Sequence, residues 1–363
     1  MAKKYCSVYG FVWIALMLFG ISSSRCEADQ KEEVGIYELI RGNKSFSFTN
    51  FGASMLSAIL PDKHGKLADV VLGFPSVESY KNDTTYFGNI VGRVANRIGK
   101  AEFKFDGTLY KLVPNDGKNM LHGGPKGYSE VIWKVLSYNK YSHVTFTYHS
   151  FDGEEGFPGA VSVEVTYMLM RRNMLGVKMV AKPKNKATPV NLALHTYWNL
   201  GGHNSCNILN HTIQIFGSKI TPVDNDKDLI PTGDIVSVND TPYDFLQPRQ
   251  IGSKINEVDG GYDINYVLDD PTSGRHFKKV AVVKESVSGR KLELRTDKPG
   301  VQFYTGNMLD NVEGKDGSVY SKHAGFCLET QGFPDAVNHP NFPSQIVFPG
   351  QIYRHFMVYR FTA

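Results

Sequence analysis

Short runs in which every second side chain is apolar recur along the chain and constrain its fold more than any other feature. Three examples are Phe46 and Phe48, then Val144, Phe146 and Tyr148, then Val161, Val163, Val165 and Tyr167. A period of two places alternate side chains on opposite faces of an extended strand, with one face toward a core. Gly, Pro, Asn and Asp break the runs too often for long helices. The pattern predicts an all-β domain with two sheets facing each other.

The rest of the chain agrees with one domain. We find no internal repeat and no Pro- or Ser-rich linker, and 41% of the 363 residues are hydrophobic, which is enough for a large core. We therefore predict a single β-sandwich domain over residues 34–363, with only brief helical turns near residues 76–81 and 251–258.

The charge balance excludes one class of partner. The formal net charge is +4, from 40 basic and 36 acidic residues that are spread evenly. Nucleic-acid-binding proteins concentrate positive charge on one face. We therefore expect no nucleic-acid partner.

The first residues have the composition of a targeting segment. Lys3 and Lys4 precede a largely apolar run over residues 8–21, and three serines follow it. This order is typical of a secretory signal peptide. The alternative, a membrane anchor, needs roughly 20 apolar residues, and this run is shorter. We predict a signal peptide over about residues 1–26, and a secreted or lumenal protein without a membrane segment after cleavage.

Cysteines and glycosylation motifs add little to that prediction. Only Cys206 and Cys327 clearly belong to the mature chain, without a CxxC motif, so a bridge between them and two free thiols both stay open. Secretion would expose four sequons to glycosylation, although chance alone supplies a similar number. They begin at Asn43, Asn82, Asn210 and Asn239.

Three residues combine chemistry with an apolar setting. Glu329 is the one carboxylate in the strand-like run 325–331, while His122 and His195 are lone histidines in similar surroundings. A carboxylate in such an apolar run is either buried and paired with another group or takes part in the chemistry of a site. Each histidine alone is more often a hydrogen-bonded structural residue. Zinc would also accept two His and one Glu, but no HExxH-like spacing is present, so we predict no metal.

Strand periodicity predicts on which face of a strand these side chains lie. If residues 191–200 form one strand, His195 shares a face with Asn191 and Asn199, opposite Trp198. The same count separates Glu329 from Leu328. Several strands would then each present polar side chains on one side, as a carbohydrate-binding groove requires.

Taken together, the motifs resemble a known family. They follow one another in family order and cover nearly the whole chain after the N-terminal segment: residues 92–98, 119–124, 152–159, 188–191, 195–200, 300–307 and 326–334. Each is weak alone, but jointly they are specific, and the chain resembles the aldose 1-epimerases, also called galactose mutarotases.

The resemblance implies a fold and a reaction. The fold is the large antiparallel β-sandwich known as the galactose mutarotase-like supersandwich. The reaction is the interconversion of the α and β anomers of free aldohexoses, without a cofactor. By position in the motifs, Glu329 resembles the general base and His195 the general acid, while His122 resembles the histidine that binds the substrate near the ring oxygen.

Four further positions resemble the sugar-binding residues of the family: Asn96, Arg97, Asp263 and Gln302. Taken alone, Arg97 is equally a surface ion-pair partner, and Asp263, just after Gly260 and Gly261, equally serves a turn. Many relatives have His after that aspartate, where this chain has Ile264, so the preferred sugar stays open.

Other functions remain alternatives from the sequence. A non-catalytic sugar-binding protein would use the same groove, and a hexose-6-phosphate 1-epimerase would need clustered basic side chains for the phosphate. Glycoside hydrolysis ranks lower because no second carboxylate paired with Glu329 is evident. A free monosaccharide is the expected partner of an aldose 1-epimerase or a sugar-binding protein, and a monosaccharide phosphate is that of a hexose-6-phosphate 1-epimerase. The oligomeric state stays open.

Overall fold

The computed structural model describes residues 1, 33–81, 83–171, 173–224, 228–269 and 277–363. Residues 2–26 of the predicted signal peptide and Asn82, at which one sequon begins, lie outside these residues. Glu33–Ala363 form one compact unit. Among the residues described, no helix has the length and apolar character needed to span a membrane.

A large antiparallel sheet forms one side of the sandwich. Its described strands are, in spatial order, Lys134–Asn139, His143–Ser150, Val161–Met170, Met174–Pro183, Tyr353–Thr362, Lys291–Thr296, Lys278–Lys284, Thr212–Ile215 and Arg249–Gln250. Because the C-terminal strand lies in the middle of this order, the last residues of the chain are paired on both edges.

The alternation of apolar side chains in the sequence matches the alternation of buried and partly exposed residues in this sheet. The apolar side chains of Val161, Val163, Val165 and Tyr167 are fully buried, whereas the residues between them are partly exposed. Burial of one apolar face is the main favourable contribution to folding in such a strand. The predicted all-β class is thus confirmed.

Two further sheets complete the layers. We call the first the N-terminal sheet, with strands Ile36–Arg41, Lys44–Thr49, Met55–Pro61 and Leu67–Asp69. We call the second the site sheet, with strands in the order Val236–Ser237, Lys219–Thr221, Asp263–Val267, Gly300–Tyr304 and Cys327–Gln331.

The described residues also form short antiparallel pairs outside these sheets. They are Thr188–Pro189 with Ile346–Val347, Ala193–Leu194 with Ile90–Val91, Arg97–Ile98 with Met120–Leu121, Glu102–Phe105 with Thr108–Lys111, and Val312–Glu313 with Val319–Tyr320. Two of these pairs carry candidate site residues at or beside their ends, as described below.

The described helices are single 3₁₀ turns, so the prediction of brief helical turns is confirmed. Glu78–Tyr80 lies in the first predicted region, and Ile251–Ser253 and Ile255–Glu257 lie in the second. The others are Gly99–Ala101, Tyr128–Glu130, Glu154–Gly156 and Lys315–Gly317.

One cluster of buried side chains joins the sheets. Trp198 is fully buried and packs its ring against Tyr359 and Phe361 of the C-terminal strand, with centroid distances of 5.2 and 5.6 Å. Aromatic pairs at this separation add to the stability that burial provides. The segment that carries Trp198 is therefore anchored in the core.

The prediction of one strand over residues 191–200 is wrong. Only Ala193–Leu194 forms a strand, and Trp198 makes isolated bridges to Val71 and Phe326. All ten residues are buried, so neither face is an open groove. Successive residues of the segment form backbone hydrogen bonds with different partner segments, so each β-ladder ends after one or two residues.

Both cysteines among the described residues are free thiols. Cys206 is exposed and Cys327 is buried, so the disulfide left open by the sequence does not form.

Candidate active site

The site sheet presents three polar side chains on one face. Gln302 lies directly opposite Glu329, and Asp263 lies opposite Tyr304 on the neighbouring strand. Directly opposed residues of antiparallel strands share a face. The alternate residues point into the core: Ile264, Phe303 and Leu328. The alternation predicted for Glu329 and Leu328 is therefore confirmed.

A short connection brings His195 against this face. His195 follows the strand Ala193–Leu194, and its backbone N–H donates to the carbonyl of Asn89 at 2.9 Å. Its Nε2 lies 3.6 Å from Oε1 of Glu329, and its Nδ1 lies 3.7 Å from Sγ of Cys327. The backbone of His195 is thus fixed by Asn89, while its imidazole lies between the thiol of Cys327 and the carboxyl group of Glu329.

The second histidine lies in a turn that fixes its ring. His122 has a positive φ of 52°, and its N–H donates to the Asn96 carbonyl at 3.1 Å. In return, the N–H of Asn96 donates to Nδ1 of His122 at 3.2 Å. The turn continues through Gly123 at φ 92°, where a Cβ would lie 2.0 Å from the Gly92 carbonyl oxygen. Only glycine fits there.

The hydrogen bond from Asn96 also sets the tautomer of His122. A backbone N–H can only donate, so Nδ1 of His122 is an acceptor, and the neutral ring carries its proton on Nε2. Nε2 is therefore available to a ligand as a donor. Because burial and the nearby His195 lower the pKa of His122 well below its usual value, the ring is neutral at ordinary pH.

Arg97 spans two carboxylates beside the histidines. Its Nε donates to Oδ2 of Asp116 at 2.8 Å, and its Nη1 lies 4.0 Å from Oδ2 of Asp263. The Arg97 side chain is 12% exposed. A guanidinium held in this way keeps a fixed orientation. Arg97 is therefore not the surface ion-pair partner that the sequence left open, and Asp263 begins a strand instead of forming a turn.

These residues line one cavity of about 170 Å³. All the candidates from the sequence contribute to its wall: Asn96, Arg97, His122, His195, Asp263, Gln302 and Glu329. The structure thus brings together residues that are up to 233 positions apart (329 − 96). Tyr197 and Tyr304 also line the cavity, so these aromatic rings are part of the site as well as of the core.

Glu329 is buried without full hydrogen bonding. The residue is 2% exposed, and Oε2 has no hydrogen-bond partner among the described residues. Burial raises the pKa of Glu329 well above its usual range, and the charge of Asp263 adds to this effect while Arg97 opposes it. Such a carboxyl group can take a proton from a weak acid.

Burial has the opposite effect on His195. It lowers the pKa of the imidazole to about 4. Burial disfavours the charged form of both groups, so when the pair holds one proton, burial favours that proton on Glu329 over His195. That single proton can lie on either residue, which is what combined acid and base chemistry requires.

A chain of amides orients Asp263. Nε2 of Gln302 donates to Oδ1 of Asp263 at 2.7 Å, and Nε2 of Gln331 donates to Oε1 of Gln302 at 3.4 Å. Both ends of the Gln302 amide are thus engaged within the protein. This arrangement leaves Oδ2 of Asp263 for Arg97 and a ligand.

The arrangement could also be considered as a metal site. One ligand atom each from His122, His195 and Glu329 lies within 4.8 Å of the others, although the spacing in the sequence gave no such indication. A metal-bound histidine uses the lone pair of one ring nitrogen and donates an N–H from the other. His122 accepts at Nδ1 from Asn96 and carries its proton on Nε2. This geometry suits a hydrogen-bond donor and disfavours a metal ligand.

The comparison with known families now decides what this site belongs to. The family model described as Aldose 1-epimerase matches residues 35–360. The chain belongs to the aldose 1-epimerase family. Its enzyme class is accordingly that of an isomerase.

Individual relatives agree with this assignment. The galactose mutarotase of Homo sapiens is 44% identical over 317 residues, which cover 86% of this chain and 90% of the human protein. The aldose 1-epimerase of Escherichia coli strain K12 is 34% identical over 334 residues, covering 89% and 94%.

Solved structures agree as well. The GalM/aldose epimerase homologue from C. elegans is similar with a TM-score of 0.85 and 30% identity, and the match covers 91% of this chain and 99% of that one. The galactose 1-epimerase from Lactobacillus acidophilus is similar in fold with a TM-score of 0.76 and 21% identity, covering 91% and 98%. The predicted galactose mutarotase-like fold is confirmed.

Sequence reasoning missed several residues of this epimerase. Tyr86 lines the cavity, and its ring lies 4.7 Å from that of His122 and 5.8 Å from that of His195. It lies in a loop with no periodicity, so no pattern pointed to it. Asp116, the partner of Arg97, was also missed because an exposed-looking aspartate between asparagine and glycine reads as a turn residue.

The sequence showed no evident second carboxylate paired with Glu329, and the structure places one in the same cavity. Asp263 lines the same cavity, and its charge contributes to the raised pKa of Glu329. Their strands lie on either side of the strand Gly300–Tyr304, an arrangement that cannot be read from their separation in sequence.

Proposed function

We propose that this aldose 1-epimerase interconverts the α and β anomers of free aldohexoses, galactose and glucose among them, by opening and reclosing the pyranose ring. The observation that carries this proposal is the distance of 3.6 Å between Nε2 of His195 and Oε1 of Glu329 inside one cavity. An acid and a base so close can contact the ring oxygen and the anomeric hydroxyl of the same sugar.

Ring opening uses the form of the pair in which the shared proton lies on His195. Glu329 removes the proton of the anomeric hydroxyl while Nε2 of His195 donates its proton to the ring oxygen. The bond between C1 and the ring oxygen breaks, and C1 becomes an aldehyde. The step leaves Glu329 protonated and His195 neutral, which is the form that burial favours. The site therefore stabilises the state that follows ring opening.

Ring closure reverses these roles. After C1 rotates about its bond to C2, His195 takes the proton of the ring-forming hydroxyl, whose oxygen attacks the other face of the aldehyde. Glu329 returns its proton to the carbonyl oxygen. His122 donates from Nε2 toward the ring oxygen, and Asp263 and Asn96 hold sugar hydroxyls in place. No proton is gained or lost overall.

The lining of the cavity supports free sugars over sugar phosphates. Arg97 is the only Lys or Arg among the described residues that line it, and its guanidinium is already engaged with Asp116 and Asp263. Phosphate recognition commonly uses several basic groups. Turnover of a hexose 6-phosphate that exceeds turnover of the free hexose would reverse this assignment.

Polarimetry tests the proposed reaction directly. Freshly dissolved α-glucose and α-galactose should approach equilibrium rotation faster with the protein than in buffer, in proportion to protein concentration. A non-catalytic sugar-binding protein would bind these sugars without changing the rate. An aryl β-galactoside should release no phenol, because its anomeric oxygen has no proton for Glu329 to remove; release would indicate a hydrolase.

The pH dependence of the rate should reflect the proton shared by the pair. Activity needs one proton on Glu329 and His195 together, so a second proton at low pH or loss of the last one at high pH stops the reaction. Burial lowers the pKa of His195 to about 4 and raises that of Glu329. We expect a plateau of kcat/KM across neutral pH, with an acid limb near pH 4, after subtraction of the buffer-catalysed rate.

The acid limb is the more informative one. An ordinary histidine titrates at about 6.5. An acid limb at that pH would show that burial does not hold His195 neutral, and the assignment of the shared proton would then be wrong.

We also propose that the protein is secreted. The basic residues and apolar run at the N-terminus support this proposal, and three of the sequons are exposed: Asn43, Asn210 and Asn239. Expression in a eukaryotic host should place the protein in the medium, with its N-terminus between residues 26 and 30. Removal of N-linked glycans should then lower its apparent mass. A protein retained in the cells with its first residues intact would refute the proposal.

A further inference from the structure

A second cavity adjoins the active site. It has a volume of about 560 Å³, against about 170 Å³ for the active-site cavity. The two cavities share part of their walls, formed by Asp263, Tyr304 and Met308. A ligand bound at Glu329 could therefore extend past Asp263 into the second cavity without leaving the protein surface.

The chemistry of the second cavity differs from that of a sugar site. Part of its wall is formed by apolar side chains and an aromatic ring, among them Ile220, Pro222, Val223, Tyr243 and Val258. Its polar side chains are Asp224, Asp259, Asp263, Asn307 and Lys322. The hydroxyl groups of a hexose gain nothing from the apolar part of this wall, whereas an apolar group is favoured there because it removes carbon surface from water.

Met308 marks the junction between the two cavities. Its side chain is 77% exposed, and its backbone N–H donates to the Tyr304 hydroxyl at 2.9 Å. Exposed methionines at a cleft are adaptable contacts for apolar ligands. The backbone at this junction is thus fixed, while an apolar side chain is presented to whatever crosses it.

The reaction restricts where an apolar group can be attached. Glu329 acts on a free anomeric hydroxyl, so C1 must carry no substituent. An apolar group that reaches the second cavity must therefore be bonded to an oxygen on another carbon of the sugar, as an ester or an ether.

We propose that the second cavity binds an aryl or acyl group carried by a free aldose on a carbon other than C1. This proposal rests on the proposed interconversion of anomers and widens its substrate class. Substituted aldoses of this kind are bound by the polar residues at C1 and by the apolar cavity at the same time.

Polarimetry with the isomers of mono-O-benzyl-glucose that keep C1 free tests the proposal. At least one isomer should show a KM about tenfold lower than that of glucose, with a similar kcat, because partial burial of a phenyl ring is worth about one factor of ten in affinity. If every isomer has a KM equal to or above that of glucose, the proposal is wrong. If the protein does not accelerate the mutarotation of glucose itself, the proposed interconversion of anomers is refuted instead.

A variant of the cavity wall locates the effect. Val258 lines the second cavity and not the active site, so Val258→Asp should abolish the tenfold advantage of the benzyl isomer and leave the kinetics of glucose unchanged. Val287→Asp is the matched control, because Val287 is 80% exposed and lines neither cavity; it should retain the advantage. An advantage that survives in Val258→Asp, with a native thermal melt, would show that the phenyl ring binds elsewhere.

Discussion

Glu329→Gln should lower kcat/KM for α-glucose and α-galactose by about 10²- to 10⁴-fold, the range typical for loss of a general base. Glutamine has almost the same shape and size as glutamate, but its amide cannot remove the proton of the anomeric hydroxyl. Because Oε2 of Glu329 has no hydrogen-bond partner in the part of the chain that the structure describes, the substitution breaks no hydrogen bond seen at that atom. Polarimetry at neutral pH measures the loss, with the buffer rate as the lower limit.

Thermal unfolding separates this loss from misfolding. The pKa of Glu329 is raised in the folded protein, so between the unfolded and folded values only the folded state keeps the proton, and stability falls as pH rises. A neutral glutamine avoids this loss. We expect Glu329→Gln to melt at the same or a higher temperature than the wild type at pH 7, with the difference shrinking toward pH 4.

A second carboxylate provides the matched control. Glu293 lies in the large sheet, where its Oε1 accepts a hydrogen bond from Nε of Arg295 at 2.9 Å. Glu293→Gln makes the same chemical change at a residue that does not line the active-site cavity, and it should leave kcat/KM within about twofold. Equal activity of wild type and Glu329→Gln would remove Glu329 from the mechanism.

The strands could be predicted from the sequence where each strand has one buried face. Val161–Met170 is such a strand, because its period of two holds from Val161 to Tyr167. In residues 191–200 every residue is buried, so polarity no longer distinguishes the two faces. There the chain bridges several partners in turn, which only the tertiary structure determines.

The residues of the site could be predicted from the sequence, but their geometry could not. The resemblance pointed to Glu329, His195 and His122, yet the sequence could not show that Nε2 of His195 lies 3.6 Å from Glu329, nor that Asn96 fixes the tautomer of His122. Tyr86 carried no signal at all, because its place above both histidines depends on a loop conformation with φ 60°. Long-range contacts and loop conformations carry this information.

His195→Gln should lower kcat/KM for the same sugars by about 10²-fold or more, because the ring oxygen loses its proton donor. The Gln amide can still donate a hydrogen bond, but it cannot transfer the proton at ordinary pH. Polarimetry measures the loss, and His211→Gln, another buried histidine that lines neither cavity, is the control. If His195→Gln retains the wild-type rate, the ring oxygen receives its proton from another group.

The double variant Glu329→Gln, His195→Gln distinguishes a shared proton from two independent contributions. If one proton passes through both residues, removal of either already disables the transfer, so the double variant should be about as slow as Glu329→Gln alone. If the residues act independently, the two losses should multiply, down to the limit set by the buffer rate. Multiplied losses would therefore contradict the proposed pair, even though each single variant is slow. The 3.6 Å separation of Nε2 and Oε1 leads us to expect the first outcome.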